Sequence, residues 1–316
     1  MRRMFLTLVI VVAFASGGHA ALGQTSGSTD VVAAVRAAIA SQDLTSGEAR
    51  LNDFRSTRGT TPEAIEALSW LARGALAAQQ LDLADRYASE TSTLAVAALA
   101  TRKLTEDTHL QTALGAAIET TALVRVQRGQ RSEAVYFLRQ EIDTYRGSPI
   151  HKRLAKNLNL LTLEGQPAPP LDATEFLDRR VPSFAELKGK PVVLFFWAHW
   201  CPDCKAESPV LAKMLDKYRS QGLELVAPTQ RYGYVAGGKP AGPEEELKYI
   251  IQIRDTYYGF LRNQPVPVSE ANHLQYGVSS TPTLVFLDRA GRVHLYHPGR
   301  MTEEELDTEI RKLLGQ

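Results

Sequence analysis

Cys201 and Cys204 are the chain's two cysteines, and they stand in Cys-x-x-Cys spacing within Trp197-Ala198-His199-Trp200-Cys201-Pro202-Asp203-Cys204-Lys205. Two thiols so placed can exchange an electron pair with a disulfide. One attacks as thiolate and forms a mixed disulfide, and the other displaces it by closing a ring. Other chemistries fit less well. A structural zinc needs four Cys or His ligands, and the chain offers no further cysteine and no paired histidine motif. Haem attachment needs a histidine directly after the second cysteine, where this chain has Lys205. A purely structural bridge would close too short a loop to restrict the unfolded chain much.

The flanking elements decide whether the pair is reactive. Residues 192–197 (VVLFFW) form an uninterrupted apolar run, which predicts a strand buried on both faces. Residues 202–219 alternate with helical period and predict an amphipathic helix. The cysteines therefore open a helix, where unpaired N–H groups and the dipole favour a thiolate. Cys201, expected to be the more exposed, is the candidate attacking thiolate. Cys204, one turn further in, is the candidate resolving thiol.

Further elements complete an α/β half. A strand is predicted at 222–227 and a helix at 243–262, the latter opening on Glu244, Glu245 and Glu246, which suit its dipole. Strands at 283–288 and 292–296 are joined by Arg289-Ala290-Gly291, a hairpin signal, and a helix at 302–314 has Thr302 as N-cap. The predicted order is β-α-β-α-β-β-α. An insertion at about 228–270 carries the loop 237–242 and five of the 11 tyrosines, Tyr232, Tyr234, Tyr249, Tyr257 and Tyr258. Such tyrosines can grip a partner or simply pack an inserted helix; both readings stand.

Several separate segments of 165–316 resemble the thioredoxin fold, and more narrowly the TlpA/ResA-type extracytoplasmic disulfide reductases. They are Pro167-Ala168-Pro169-Pro170, then Val181-Pro182 leading to Leu187-Lys188-Gly189-Lys190-Pro191, the motif from Phe196 to Lys205, Glu207-Ser208-Pro209, Ser280-Thr281-Pro282-Thr283, and Gly299. The resemblance implies a central mixed sheet and a cis peptide at Thr281-Pro282 facing the cysteines. It also implies that Trp200, Pro202, Thr281 and Pro282 meet the substrate. Glu207 is the implied proton acceptor from Cys204, because Phe195 stands where cytoplasmic thioredoxins carry an Asp. The alternative for Glu207 is a solvated helix glutamate. Pro209 is expected to kink its helix. One departure is the inner dipeptide Pro202-Asp203. Asp203 would raise a nearby thiol pKa and a protonated His199 would lower it, and the sequence leaves the sum unsigned.

The first half differs in composition. Residues 21–166 contain two prolines and 167–316 contain 14, so only the first half is free to be mostly helical. Residues 31–100 hold 18 alanines, with apolar residues at helical spacing, and Thr61-Pro62-Glu63 reads as a helix start. Two helix pairs look like tetratricopeptide repeats: Leu68, Leu71, Ala72 and Ala84, and Gly129, Ala134, Leu138 and Pro149. The small anchors Ala84 and Ala134 are 50 residues apart, where a true repeat needs about 34. An all-α, helical-hairpin domain with TPR-like geometry is expected over 24–164, as a partner-docking surface or as a cap that packs or dimerises. Trp70 is read as core. Residues 165–170 form the linker.

At the N-terminus, Arg2 and Arg3, an 11-residue apolar run from Phe5 to Ala15 and small residues through Ala20 predict a cleaved signal peptide over 1–20, too short to span a membrane. An extracytoplasmic protein, periplasmic or secreted, is expected, with no membrane span after cleavage. The formal charge is +1; without Arg2 and Arg3, 34 basic residues face 35 acidic ones. That balance argues against nucleic acid or an anionic membrane as partner. The expected activity is thiol–disulfide exchange, reducing protein disulfides with electrons from a membrane thiol donor and with no cofactor or metal. An oxidase or isomerase using the same cysteines, or an adaptor acting through its helices, are the alternatives.

Overall fold

The computed structural model describes residues 30–316, so the expected leader at 1–20 lies outside the described residues. The described chain forms two compact units, one ending at Gly129 and one running from Gln130 to Gln316. The first holds α1 (Val31–Ala40), α2 (Leu44–Arg58), α3 (Pro62–Ala77), α4 (Leu81–Ala98) and α5 (Thr108–Gln127). Short connections fold them into hairpins, and α3 packs against α1, α2, α4 and α5. Thr61 caps α3 with Pro62 at its first position, as its sequence predicts. The core is alanine- and leucine-rich: Ala64, Ala67, Leu68, Leu71, Ala72 and Ala84 let helices approach closely. Trp70 is packed against this core and carries Arg36 and Arg73 over its ring.

The second unit begins earlier than the linker at 165–170. It takes in α6 (Arg131–Thr144) and α7 (His151–Thr162) before the α/β elements. Contacts explain why. Lys152 on α7 hydrogen-bonds Gln230 and pairs with Glu270. Gly277 sits so tightly on the α7 backbone that a Cβ there would lie 2.4 Å from Lys156 N. Gly277 also has φ 63°, which glycine adopts without strain.

Then come β1 (Phe176–Leu177), β2 (Val192–Phe196), α8 (Pro202–Tyr218), β3 (Glu224–Val226), α9 (Pro243–Tyr257), β4 (Val266–Pro267), α10 (Glu270–Gln275), β5 (Thr283–Leu287), β6 (Val293–Pro298) and α11 (Glu303–Leu314). The central sheet has the order β3-β2-β5-β6, with β3 parallel to β2 and both other pairings antiparallel. This is the mixed sheet of the thioredoxin fold. Every residue of β2 and β5 is buried, which is why both read as continuous apolar runs. One sheet face packs Val193, Phe195 and Phe286 against α8 and α11 residues; the other packs Val192, Leu194 and Phe196 against Tyr276, Tyr296 and Leu163.

The predicted order omits β1, β4 and α10. They are too short to show periodicity. β4 and β1 pair antiparallel, and Thr229 bridges Val268 in parallel, so the chain returning from the insertion lies beside the segment that follows β3. The helix predicted at 243–262 ends at Tyr257 and continues as a 3₁₀ turn, Gly259–Asn263. Thr302 does cap α11, in a full capping box with Glu305. Among the described residues, no helix is long and apolar enough to cross a membrane.

Candidate active site

β2 ends at Phe196, and the segment Trp197–Trp200 carries the chain to the N-terminus of α8. Trp197 is fully buried. Its indole N–H donates to Ala227 O at 3.1 Å, its backbone N–H donates to Pro228 O, and its carbonyl accepts from Thr229 Oγ1. Tyr258, one of the insertion's tyrosines, packs on Trp197 with ring centroids 4.7 Å apart and also meets Phe195. The turn that precedes the cysteines is thereby fixed to the core.

Cys201 is the N-cap of α8, with Pro202 at the first helical position. Cys201 and Cys204 form a disulfide with Cα atoms 5.3 Å apart. Cys204 N–H donates to Cys201 Sγ at 3.0 Å. After reduction, the same donor and the helix dipole would stabilise charge on Cys201 rather than on Cys204. One expectation changes here. Cys201 is 1% exposed and Cys204 0%, so the first cysteine is not open to solvent in this state. The cause is the Thr281-Pro282 turn: its peptide bond is cis, and Thr281 O lies 3.3 Å from Cys201 Sγ. Pro282 O in turn accepts from Gly299 N at 2.8 Å. Trp200, next to Cys201, is by contrast 44% exposed.

Glu207 is not a solvated helix glutamate. It is 1% exposed, one helical turn beyond Cys204, on the buried side of α8. Oε1 accepts from Met301 N at 2.8 Å, and Oε2 is buried without a partner. Burial pushes its carboxyl up to about 7; the Met301 N–H and the Arg300 charge pull it down, and Asp203 pushes it further up. A carboxyl poised there exchanges protons near neutral pH. Asp203 is exposed and lies 3.8 Å from Arg300, a surface pair that offsets its charge beside the cysteines. Pro209 sits inside α8.

His199 does not face solvent as a cation. It is 1% exposed, and burial holds its imidazole below the usual histidine range, opposed by Glu246. Its Nε2 lies 3.2 Å from Glu246 Oε1. Tyr232, Tyr234 and Tyr249 surround the ring edge-on, with centroids 5.3–5.5 Å away. The tyrosines of the insertion therefore pack inside their own unit, apart from Tyr257, which is 49% exposed under the Lys205 ammonium. Glu246 was legible only as one of three helix-start glutamates, and nothing in its sequence position distinguishes it from Glu244 and Glu245. Among the described residues no cluster of His, Cys, Asp or Glu suits a metal ion.

Comparison with known proteins gives a consistent family. Residues 183–314 match the thioredoxin-like domain. The thiol-disulfide oxidoreductase ResA of Bacillus thuringiensis (strain Al Hakam) is 26% identical over 151 residues, 47% of this chain and 78% of that protein. The thioredoxin-like protein YneN of Bacillus subtilis (strain 168) is 30% identical over 148 residues, 46% of this chain and 78% of that protein. Among solved structures, a thiol:disulfide interchange protein of Chlorobium tepidum TLS aligns with TM-score 0.39 and 24% identity, over 48% of this chain and 97% of that one.

Proposed function

This chain belongs to the thioredoxin-like protein family, and we propose from that premise that it is a thiol–disulfide oxidoreductase working outside the cytoplasm as a reductase of protein disulfides. The observation that carries the exchange chemistry is the N-cap geometry: Cys201 Sγ accepts the Cys204 N–H at 3.0 Å, at the start of a helix. A thiolate favoured there makes Cys201 the attacking atom, and the reducing direction is taken from the resemblance to ResA-type reductases. The names of the curated relatives, thiol-disulfide oxidoreductase and thioredoxin-like protein, agree with that chemistry.

The cycle starts from the reduced protein. Cys201 thiolate attacks one sulfur of a substrate disulfide; that bond breaks, a mixed disulfide forms, and one substrate thiolate leaves. Cys204 then loses its proton to the Glu207 carboxylate and attacks Cys201 Sγ. The mixed disulfide breaks, the Cys201–Cys204 disulfide forms, and the second substrate thiolate leaves. Two electrons have passed from the dithiol to the substrate. In this reading Trp200, Pro202, Thr281 and Pro282 meet the substrate, and Thr281 O lies 3.3 Å from Cys201 Sγ. A thiol donor, membrane-bound in this reading, returns the electrons. The signal-like residues 1–20 support an extracytoplasmic address.

The test is insulin reduction by the mature protein with dithiothreitol as electron source. Activity lost in Cys201→Ser, together with mixed disulfides accumulating on Cys204→Ser, supports the cycle. Activity that survives Cys201→Ser would refute it. An inert wild-type protein whose helical fragment still captures partners would favour the adaptor.

A further inference from the structure

Glu246 is 1% exposed and projects from the first turn of α9 into the unit rather than into water. Its carboxylate gathers three donors. Tyr232 N–H reaches Oε1 at 2.5 Å, Gly233 N–H reaches Oε2 at 2.8 Å, and the His199 imidazole reaches Oε1 at 3.2 Å. Two consecutive backbone N–H groups converge on one carboxylate because Gly233 has φ 84°, a conformation other residues rarely adopt. A buried carboxylate so placed is costly unless fully paired, and removing a partner leaves the charge stranded. The loop it holds is closed on itself: Val235 N donates to Lys239 O and Ala241 N donates to Gly233 O. Arg231 anchors its base through Glu175 and Pro243 O.

The held loop has one further contact. The Tyr232 ring stands edge-on to Trp200, with centroids 5.5 Å apart and planes at 82°. Trp200 is the residue before Cys201 and has 44% of its surface in water. An indole this exposed has many rotamers available unless a neighbour limits them. Tyr232 is that neighbour, and His199, two residues before Cys201, ties the same loop to the strand end from the other side.

We infer that Glu246, His199 and Tyr232 are positioning residues that brace the exposed Trp200 indole beside Cys201, so that the protein prefers disulfides in polypeptides carrying apolar side chains over small soluble disulfides. The inference rests on the reductase reading. It makes the insertion a specificity element acting through a side chain outside itself. The brace touches neither cysteine, so its loss acts on how tightly a polypeptide is held and not on the electron transfer.

The experiment compares bovine insulin with glutathione disulfide as substrates for wild type, Tyr232→Ala, Tyr232→Phe and Glu246→Gln, each checked for native circular dichroism. Losing an edge-on aromatic contact that holds a substrate-facing side chain is worth up to about tenfold in binding. Tyr232→Ala should raise KM for insulin about tenfold with kcat changed less than about threefold, lowering the insulin-to-glutathione preference accordingly. Tyr232→Phe keeps the ring and should restore the wild-type KM. Glu246→Gln keeps the shape and loses the charge, and should fall between the two. Should Glu246→Gln fail to fold, the tyrosine pair decides. A preference unchanged in Tyr232→Ala, or a fall in kcat with KM untouched, overturns the brace. Absence of any Cys201-dependent reaction with either disulfide sinks the reductase reading and the inference with it.

Discussion

Replacing Glu207 by Gln turns the buried carboxyl into a measurable stability difference. Glu207 is 1% exposed, and burial raises its carboxyl from 4.5 to about 7 in the folded protein. A group whose folded pKa lies above its unfolded value favours the fold when protonated. Its contribution is complete below about pH 4.5 and disappears as pH rises through about 7. Each pH unit between the two values is worth about 1.4 kcal/mol, so ionisation removes about 3 kcal/mol by pH 8.5. Gln has the shape of the neutral acid and cannot ionise. In the disulfide-bonded form, Glu207→Gln should match wild type at pH 4 and exceed it by about 3 kcal/mol at pH 8.5. Urea unfolding followed by tryptophan fluorescence, at both pH values, gives the comparison. Other buried titrating groups, His273 among them, are common to both proteins and cancel in the difference. A gap between the two proteins that stays constant with pH would refute a raised carboxyl. A variant less stable than wild type at pH 8.5 would mean that Met301 N–H and Arg300 stabilise the carboxylate more than burial opposes it.

Three more outcomes are expected. With Glu207→Gln, release of substrate from the mixed disulfide should slow by on the order of 100-fold near neutral pH, and the wild-type rate should climb as Glu207 ionises around pH 7; stopped-flow quenching with alkylation measures both. Gly277→Ala places a Cβ 2.4 Å from Lys156 N at a positive φ and should cost more than about 2 kcal/mol, read as a lowered urea midpoint. Thr302→Ala removes one half of the capping box on α11 and should cost about 1 kcal/mol in the same assay, with Thr302→Ser retaining most of it.

Much of this was legible in the sequence because it follows from local rules. β2 and β5 are buried on both faces, so their residues read as unbroken apolar runs, and the boundaries agree to within a residue. The ends of α8 and α11 are written in Pro202 and in Thr302 with Glu305. The cis Thr281-Pro282 turn lies beside Cys201, as the motif resemblance implied. What stayed hidden depends on partners distant in sequence. β1 and β4 exist as two-residue strands only through each other. The covering of Cys201 comes from a turn 80 residues away. α7 joins the second unit through Lys152, Lys156 and Gly277, whose meeting no periodicity announces, and α6 follows by packing on α7. Glu246 is the clearest case. It looks like its two neighbours at a helix start, yet it alone of the three is buried and holds His199 and the Tyr232 loop.

The direction of electron flow is the central claim, and the reduction potential of the Cys201/Cys204 couple tests it most directly. The measurement equilibrates the mature protein against defined ratios of reduced and oxidised dithiothreitol and of glutathione, and traps the free thiols by alkylation. A reductase requires a potential near that of thioredoxin, about −270 mV. A potential near about −120 mV, that of a strong disulfide oxidant, would contradict the account and make this chain a donor of disulfides.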